Sequence, residues 1–510
     1  MVIILNFGSQ FAHLIARRVR DLGIKVEILP FDTPASEALK HNPVGIILSG
    51  SPASVLEKNS PRPDKTTFKL GIPILGICYG HQVMAHMLGG KVARGKHREF
   101  GKEILSVKER KGIFQDFSSK EIVWFSHGDQ VSILPKGFRE TASTAGCKYA
   151  AFADLKNNFY GIQFHPEVTH TQHGEKLLKN FLFSRCKAKK DWKISSVTEN
   201  IIAEVKSEVG DRHVVVGISG GVDSLVAATL IHRAIGNRLH AVFVDTGLLR
   251  KGEVEQVASY LRKNGFKRLH VIDASKLFLK RLRGVSDPEQ KRKIIGHSFI
   301  EVFEKSIKNE LKKHVIAYLA QGTIYPDRIE SASTSKTAAK IKSHHNLTLP
   351  EKIGFKILEP IRDLYKDEVR RVGLTLGLPK KLLWRHPFPG PGLAVRIVGE
   401  ITEERLQILR EADAVFIEEL WKAEEYEKIW QAFAALLPVK VVGVMGDGRT
   451  YEYVIALRAV DSVDGMSADW HKIPNELLEK ISNAIVGKVR GVNRVLYDIT
   501  QKPPATIEYE

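Results

Sequence analysis

Cysteine is scarce in this sequence: Cys78, Cys147 and Cys186 are the only three among 510 residues. An odd number of cysteines without metal-ligand spacing argues against a disulfide framework and against a structural zinc site. One of the three could therefore serve as a reactive thiol.

Long apolar runs and targeting signals are also missing. No apolar run reaches the length that spans a membrane. The N-terminal MVIILNFGS has neither a basic leading region nor a small-residue cleavage site, so it is typical of a first core strand and not of a signal peptide. We therefore expect a cytoplasmic protein without membrane contacts.

What the chain does contain describes a folded, multidomain protein. Its length predicts about three domains, and 43% apolar with 26% charged residues is typical of globular proteins. The formal charge of +19 indicates anionic partners. Basic residues are spread along the chain without interleaved aromatics, so phosphorylated small molecules explain part of the charge as well as nucleic acid does. We expect no nucleic-acid partner.

The stretch 214–224, VVVGISGGVDS, combines a β-branched strand, a glycine turn and the start of a helix. Backbone N–H groups and the helix dipole meet at such a turn and favour phosphate. Ser219 and Ser224 add hydroxyl donors, and Asp223 could hold a metal ion that bridges phosphates. The turn is not a Walker loop, which needs a lysine where Val222 and Asp223 stand.

The first segment alternates short apolar strands with helical patterns, which predicts a doubly wound α/β domain. Gly76-Ile77-Cys78-Tyr79-Gly80 has the spacing of a nucleophile elbow. Further along, His165 and Glu167 lie two residues apart after an apolar segment. In an extended chain they share one side, so the carboxylate could orient an imidazole that activates the thiol.

SGGVDS at 219–224 resembles the PP-loop of the ATP pyrophosphatase family, and Cys78, His165 and Glu167 in this order resemble the triad of class I glutamine amidotransferases. The second resemblance also rests on GSQ at 8–10, LSGSPASV at 48–55 and SHGD at 126–129. It implies glutamine hydrolysis, with an oxyanion hole from N–H groups near Gly50 and Tyr79. Ser51 stands where that family usually has glycine, which would strain the chain if a positive φ is required.

Across the whole chain the segments resemble the glutamine-hydrolysing GMP synthetase family. The match includes YLAQGTIYPDRIES at 318–331, SHHN at 343–346 and KPPATIEYE at 502–510, with LTLP at 347–350 in place of the usual VGGLP. The turn MGDGRT at 445–450 lets Asp447 and Arg449 face a ligand. The basic segment 284–296 has the character of a phosphate-clamping lid or of a solvated face.

This resemblance implies amination of xanthosine 5′-monophosphate (XMP) to GMP, with glutamine as nitrogen donor and ATP cleaved to AMP and pyrophosphate. ATP and Mg²⁺ are the implied cofactors, and a homodimer is the implied assembly. The implied ATP-binding residues are Ser219, Gly220, Gly221, Val222, Asp223, Ser224, Asp245 and Lys366, with Asp223 also the metal ligand. The implied XMP-binding residues are Arg292, Asp447, Arg449, Lys502, Ile507 and Glu508.

We predict an α/β protein with two doubly wound, mostly parallel sheets and a smaller α+β C-terminal domain. The predicted domains are an amidotransferase at 1–187, an ATP pyrophosphatase at 188–385, and a dimerisation and XMP-binding domain at 386–510. Three alternatives remain: another ligase with the same loop, such as an NAD or argininosuccinate synthetase; an RNA-modifying protein; and a regulatory binder with an inactive amidotransferase. The absence of cysteine from 188–510 weighs against an RNA-thiolating enzyme.

Overall fold

The computed structural model describes residues 1–9, 11–311, 314–327, 355–462 and 467–510. The chain divides into two compact units, Met1–Lys193 and Ile194–Glu510. The predicted boundary at 187/188 stays a prediction. Gln10 of the GSQ motif and the segment 343–350 lie outside the described residues.

Unit 1 is built on a mixed sheet that contains nine strands among the described residues. Its order is β2-β1-β3-β4-β9-β8-β7-β5-β6, and the pairs from β2 through β9 are parallel. The inner parallel strands are apolar and buried on both faces, as expected where helices cover a sheet. The strands are β1 (Val2–Asn6), β2 (Val26–Pro30), β3 (Gly45–Leu48), β4 (Ile74–Ile77), β5 (Lys91–Val107), β6 (Lys120–Ile133), β7 (Arg139–Ser143), β8 (Ala151–Asp154) and β9 (Phe159–Ile162).

Helices of unit 1 follow the parallel strands. In α1 the buried residues Ala12, Ile15, Ala16 and Val19 recur at helical spacing, so one face of the helix packs on the sheet. Helix α3 begins immediately after β4 and therefore places Cys78 at the carboxyl edge of the sheet. The helices are α1 (Phe11–Asp21), α2 (Ala35–Leu39), α3 (Tyr79–Met87) and α4 (Gly174–Lys179), which continues into a π-helical turn at Asn180–Arg185.

The first part of unit 2 is a parallel sheet in the order β12-β11-β10-β13-β14. Two doubly wound sheets were predicted, and this part of the prediction is confirmed. The strands are β10 (His213–Ile218), β11 (Leu239–Asp245), β12 (Leu269–Asp273), β13 (Ile316–Ala320) and β14 (Lys356–Leu358). The helices are α5 (Ile194–Val209), α6 (Val222–Ile235), α7 (Glu253–Lys263), α8 (Ser275–Leu282), α9 (Pro288–Leu311), α10 (Lys366–Thr375) and α11 (Lys380–Leu383).

The second part of unit 2 is the smaller α+β element that the sequence predicts. Its long antiparallel hairpin, β15 (Gln431–Met445) and β16 (Gly448–Asp461), is extended by β17 (Asp469–Trp470) and β18 (Val492–Asp498). Helices α12 (Glu403–Lys422) and α13 (Asn475–Lys488) accompany it.

The two parts of unit 2 share one hydrophobic core. One buried cluster contains Val215 and Phe303 from the first part together with Leu393, Phe416 and Leu457 from the second. The predicted boundary at 385/386 therefore crosses a continuous core and stays a prediction. Over the residues that the structure describes, no helix is both long enough and apolar enough to cross a membrane.

Candidate active sites

Cys78 occupies the sharp turn between β4 and α3. Its backbone has φ +55° and ψ −105°, a region that side-chain-bearing residues rarely adopt. A Cβ atom at Gly80 would lie 2.2 Å from the carbonyl oxygen of Leu48, and one at Gly76 would lie 2.5 Å from that of Gly80. Both flanking positions therefore require glycine, which is the physical basis of the G-x-C-x-G spacing.

The structure brings His165 and Glu167 to this thiol. His165 Nδ1 lies 2.7 Å from Glu167 Oε1, and both side chains are almost completely buried. Burial by itself lowers the pKa of His165, but the Glu167 carboxylate and a hydrogen-bonded Cys78 thiol raise that pKa well above its usual value. The residues after β9 form a bend and a turn and not the extended chain that we predicted. The bend brings about the same His–Glu contact.

Further side chains hold the thiol from other directions. Cys78 Sγ donates to the carbonyl oxygen of Ser126 over 3.8 Å, and Gln163 Nε2 lies 3.7 Å from the sulfur. Gln82 Nε2 donates to Gln163 Oε1 and to the carbonyl oxygen of Asp129, at 3.0 and 2.7 Å. Sequence reasoning missed Gln82 and Gln163, although Gln82 stands one helical turn after Cys78 and Gln163 opens the QFHPE motif.

The predicted oxyanion groups lie at the same turn. Tyr79 is the first residue of α3, where peptide N–H groups have no acceptor within the helix. A Cβ atom at Gly50 would lie 3.7 Å from His165 Cε1, so this peptide borders the imidazole. Ser51 is not among the residues with positive φ. The strain that we considered for Ser51 is therefore absent.

The turn at 219–224 connects β10 to α6 and is braced by its own hydroxyls. Ser219 Oγ and Ser224 Oγ lie 3.0 Å apart, and Ser219 Oγ accepts from the N–H of Gly221 at 3.3 Å. Gly220 has φ +79°, and a Cβ atom there would lie 2.9 Å from Glu253 Oε1. The turn therefore presents backbone to any ligand that approaches the N-terminus of α6.

Acidic and basic side chains flank this turn. Lys366 Nζ donates to Asp223 Oδ2 at 2.6 Å, and the buried Asp223 Oδ1 has no hydrogen-bond partner. Asp245, the last residue of β11, accepts from the N–H of Gly247 at 2.8 Å. Arg385 donates to the carbonyl oxygen of Gly220 at 3.2 Å. Sequence reasoning missed Arg385 because its proline-glycine neighbourhood indicated only a boundary.

The C-terminal tail meets the start of α9. Arg292 Nη2 donates to the main-chain oxygen of Glu510 at 2.6 Å, and the fully buried Lys291 pairs with the Glu510 carboxylate. Segment 284–296 is therefore in part a packed helix start, which contradicts the reading of it as a solvated face. Ile507 is buried against Phe433 and Val460, and Lys502 pairs with Ala468 through both main-chain groups.

Asp447 and Arg449 do not reach the tail of their own chain. They lie at the turn of the β15–β16 hairpin, where Val444 pairs with Arg449. Glu508 accepts from Gln431, at the opposite end of β15. The 15 residues of β15 at about 3.3 Å each separate the two ends by roughly 45 Å.

Comparison with known families matches three parts of the chain. Residues 3–185 match the family "Glutamine amidotransferase class-I", residues 194–281 match "NAD synthase", and residues 418–509 match "GMP synthase C terminal domain". The middle match covers the turn at 219–224.

Two curated relatives cover the full chain. "GMP synthase [glutamine-hydrolyzing]" of Aquifex aeolicus is 53% identical over 510 residues, 100% of this chain and 99% of the relative. The protein of the same name from Carboxydothermus hydrogenoformans is 54% identical over the same shares. This chain belongs to the GMP synthase family.

Membership in the GMP synthase family decides among the alternatives. The chain is a glutamine-dependent ligase that synthesises GMP, and its substrates are glutamine, XMP and ATP. The match to NAD synthase is confined to residues 194–281, so it reflects the ATP-binding part and not the whole chain.

Proposed function

We propose that Cys78, His165 and Glu167 release ammonia from glutamine and that unit 2 uses it to aminate XMP. The observation that carries the first assignment is the buried His165 imidazole, which contacts the Glu167 carboxylate and the Cys78 thiol together. A thiol, a base and an orienting carboxylate in this order form a nucleophilic triad.

The glutaminase reaction follows from this geometry. The sulfur of Cys78 attacks the side-chain amide carbon of glutamine, and the N–H groups of Gly50 and Tyr79 stabilise the resulting oxyanion. His165 gives its proton to the departing nitrogen, so ammonia leaves and a thioester remains. Water then attacks the thioester with His165 as base, which releases glutamate and restores the thiol.

The second reaction activates XMP before ammonia arrives. The turn at 219–224 holds ATP through its N–H groups and hydroxyls, with Asp245 and Lys366 beside it. The C2 oxygen of XMP attacks the α-phosphorus, pyrophosphate leaves, and adenylyl-XMP forms. Ammonia then adds at C2 and AMP departs with the former C2 oxygen, because AMP is a far better leaving group than an amide-like oxygen.

Asp223 is the residue that we propose for Mg²⁺. Its buried Oδ1 has no hydrogen-bond partner, while Oδ2 is held by Lys366. A free carboxylate oxygen beside a phosphate-binding turn suits a hard cation that is shared with phosphate oxygens. When bound, the ion would neutralise phosphate charge, and Lys366 would be released to the pyrophosphate.

We further propose a homodimer in which the hairpin of one copy completes the XMP site of the other. Arg292 and Lys502 would bind the phosphate, while Ile507 would anchor the tail so that Glu508 meets the base. Asp447 and Arg449 lie too far from that tail to join it within one chain. Several apolar side chains on the hairpin are exposed and suit burial against a second copy, namely Val439, Val442, Val444 and Tyr451.

Mixing two inactive variants tests the dimer. Asp447→Ala and Glu508→Gln should each abolish XMP turnover. Co-expressed, they should recover about a quarter of wild-type activity, because half of the dimers are mixed and one of their two sites is intact. Co-expression of Arg292→Gln with Glu508→Gln, both on the tail side, should recover none. Recovery in neither mixture would contradict the shared site.

The separate roles of the two units are tested by XMP consumption with ATP and Mg²⁺. Glutamine and ammonium chloride serve as alternative nitrogen donors. Cys78→Ala should lose only the glutamine-dependent reaction, and Cys186→Ser, which changes another buried thiol of unit 1, should retain both. Loss of both reactions in Cys78→Ala would contradict two separable sites.

A further inference from the structure

Two fully buried arginines serve the C-terminal tail of unit 2. Arg396 and Arg458 are the largest side chains that are completely inaccessible to solvent. Burial of a guanidinium is costly unless its donors are satisfied. Both arginines direct most of their donors at residues 498–508, so the position of this short segment is defined by two buried charges.

Arg458 holds the main chain of the tail. It projects from β16, and its nitrogens donate to the carbonyl oxygens of Thr500 at 2.6 Å, Thr506 at 3.2 Å and Ile507 at 3.4 Å. Its charge is balanced by Asp498, whose Oδ2 lies 3.2 Å away. These bonds fix the path of the backbone that carries Glu508.

Arg396 holds the side chain of Glu508. Its Nε and Nη2 donate to the two carboxylate oxygens, each at 3.0 Å. Gln431 Nε2 donates to Oε1 at 2.6 Å, so Oε1 has two donors and Oε2 has one. The guanidinium lies over the ring of Phe433, with 4.2 Å from its central carbon to the ring centre. A bidentate pair on a buried platform sets both the plane and the direction of the carboxylate.

The remaining acceptor position on Glu508 Oε2 has a chemical use. In XMP, the ring N–H groups at N1 and N3 flank the C2 carbon at which amination occurs. A carboxylate that accepts from one of them orients this edge of the base. Adenine has no N–H donor at N1, so the same carboxylate disfavours an adenine nucleotide at this site.

We propose that Arg396 is a positioning residue that fixes the Glu508 carboxylate for recognition of the xanthine edge, while Arg458 fixes the backbone beneath it. This inference rests on the proposed contact between Glu508 and XMP. Arg396 itself does not touch the base, and it acts through the bidentate pair. A bidentate contact cannot be reproduced by lysine, whose ammonium is a single point donor.

The test compares Arg396→Gln, Arg396→Lys, Glu508→Gln and the double variant Arg396→Gln/Glu508→Gln. Loss of a charged hydrogen-bonded pair should raise KM for XMP by about ten- to a hundredfold, with KM for ATP and the glutaminase rate unchanged. Arg396→Lys should recover part of the loss. The double variant should be no worse than Glu508→Gln alone, because the effect of Arg396 runs through Glu508.

Arg281→Gln is the matched control, because it breaks an exposed Arg–Glu pair with Glu301 in the same unit. Its KM values should match those of the wild type. Equal increases in KM for XMP and ATP, or multiplicative losses in the double variant, would overturn the positioning role and leave Arg396 a structural anchor. Wild-type protein that consumes no XMP would instead overturn the proposed function.

Arg396 variants that do not fold leave a second route. Gln431→Leu removes the neutral donor to Glu508 Oε1 without leaving a buried charge unpaired. It should raise KM for XMP by about three- to tenfold, the effect of one uncharged hydrogen bond, while KM for ATP stays constant. An unchanged KM for XMP in this folded variant would also count against the positioned carboxylate.

Discussion

Glu167→Gln is the most informative single change in unit 1. The substitution keeps the size of the side chain and an acceptor oxygen for His165, but it removes the negative charge. In the structure this charge lies 2.7 Å from Nδ1 of an imidazole that is itself almost fully buried. Loss of orientation and loss of charge can therefore be separated.

The magnitude follows from the charge alone. Two unit charges about 4 Å apart interact by about 4 kcal/mol at an effective dielectric constant of 20, which corresponds to about three pKa units. We take this as an upper bound, since the amide still accepts a hydrogen bond. The glutaminase kcat should fall by about a hundred- to a thousandfold, and the ammonia-dependent reaction should not change.

The pH profile provides the sharper criterion. In the wild type the pKa of His165 is raised, so imidazolium persists to a higher pH than in a free histidine. Without Glu167 this pKa falls, and the alkaline limb of the glutaminase profile should move to lower pH. Glu121→Gln breaks another buried Glu–His pair in unit 1, with His173 at 2.6 Å, and should leave the limb in place. An alkaline limb unmoved in Glu167→Gln would refute the reasoning.

Three further predictions concern other parts of the chain. Gly80→Ala brings a methyl group against the carbonyl oxygen of Leu48, so unit 1 should lose about 1–3 kcal/mol in thermal unfolding; unchanged stability would contradict the packing. Lys366→Met should raise KM for ATP about tenfold by loss of one charged contact, and an equal change in the glutaminase rate would argue against a local role. Burial lowers the pKa of His81 to about 3, so below pH 6.5 the unfolded state binds the proton and unit 1 should lose about 1.4 kcal/mol per pH unit. His81→Gln should flatten that slope in unfolding measured against pH.

The sequence predicted elements where one physical pattern dominates. Continuous apolar runs such as Ile3-Ile4-Leu5 indicated strands buried on both faces, and the structure places them inside a parallel sheet. The long β5–β6 pair was not predicted, because its residues alternate with many charges and its pairing depends on partners distant in sequence. Periodicity reports local structure, whereas the order of strands in a sheet depends on tertiary packing.

The site was predictable where a spacing encodes a backbone requirement. The glycines around Cys78 and in the turn at 219–224 have no space for a side chain or adopt a positive φ, so these residues can be read from the chain alone. Arg396 could not be found in this way. Its partners Glu508 and Gln431 are remote in sequence, and nothing in the neighbouring PGPGLAVR identifies an arginine that will be completely buried.

The backbone of Cys78 also carries a thermodynamic consequence. A non-glycine residue at φ +55° and ψ −105° costs on the order of 1–3 kcal/mol, and the sheet and helix on either side must supply that energy in every folded molecule. Unit 1 is therefore less stable than the same unit with glycine at this position would be. The nucleophile is maintained at the expense of stability, so improvement of thermal resistance by substitution here would come only with loss of glutamine hydrolysis.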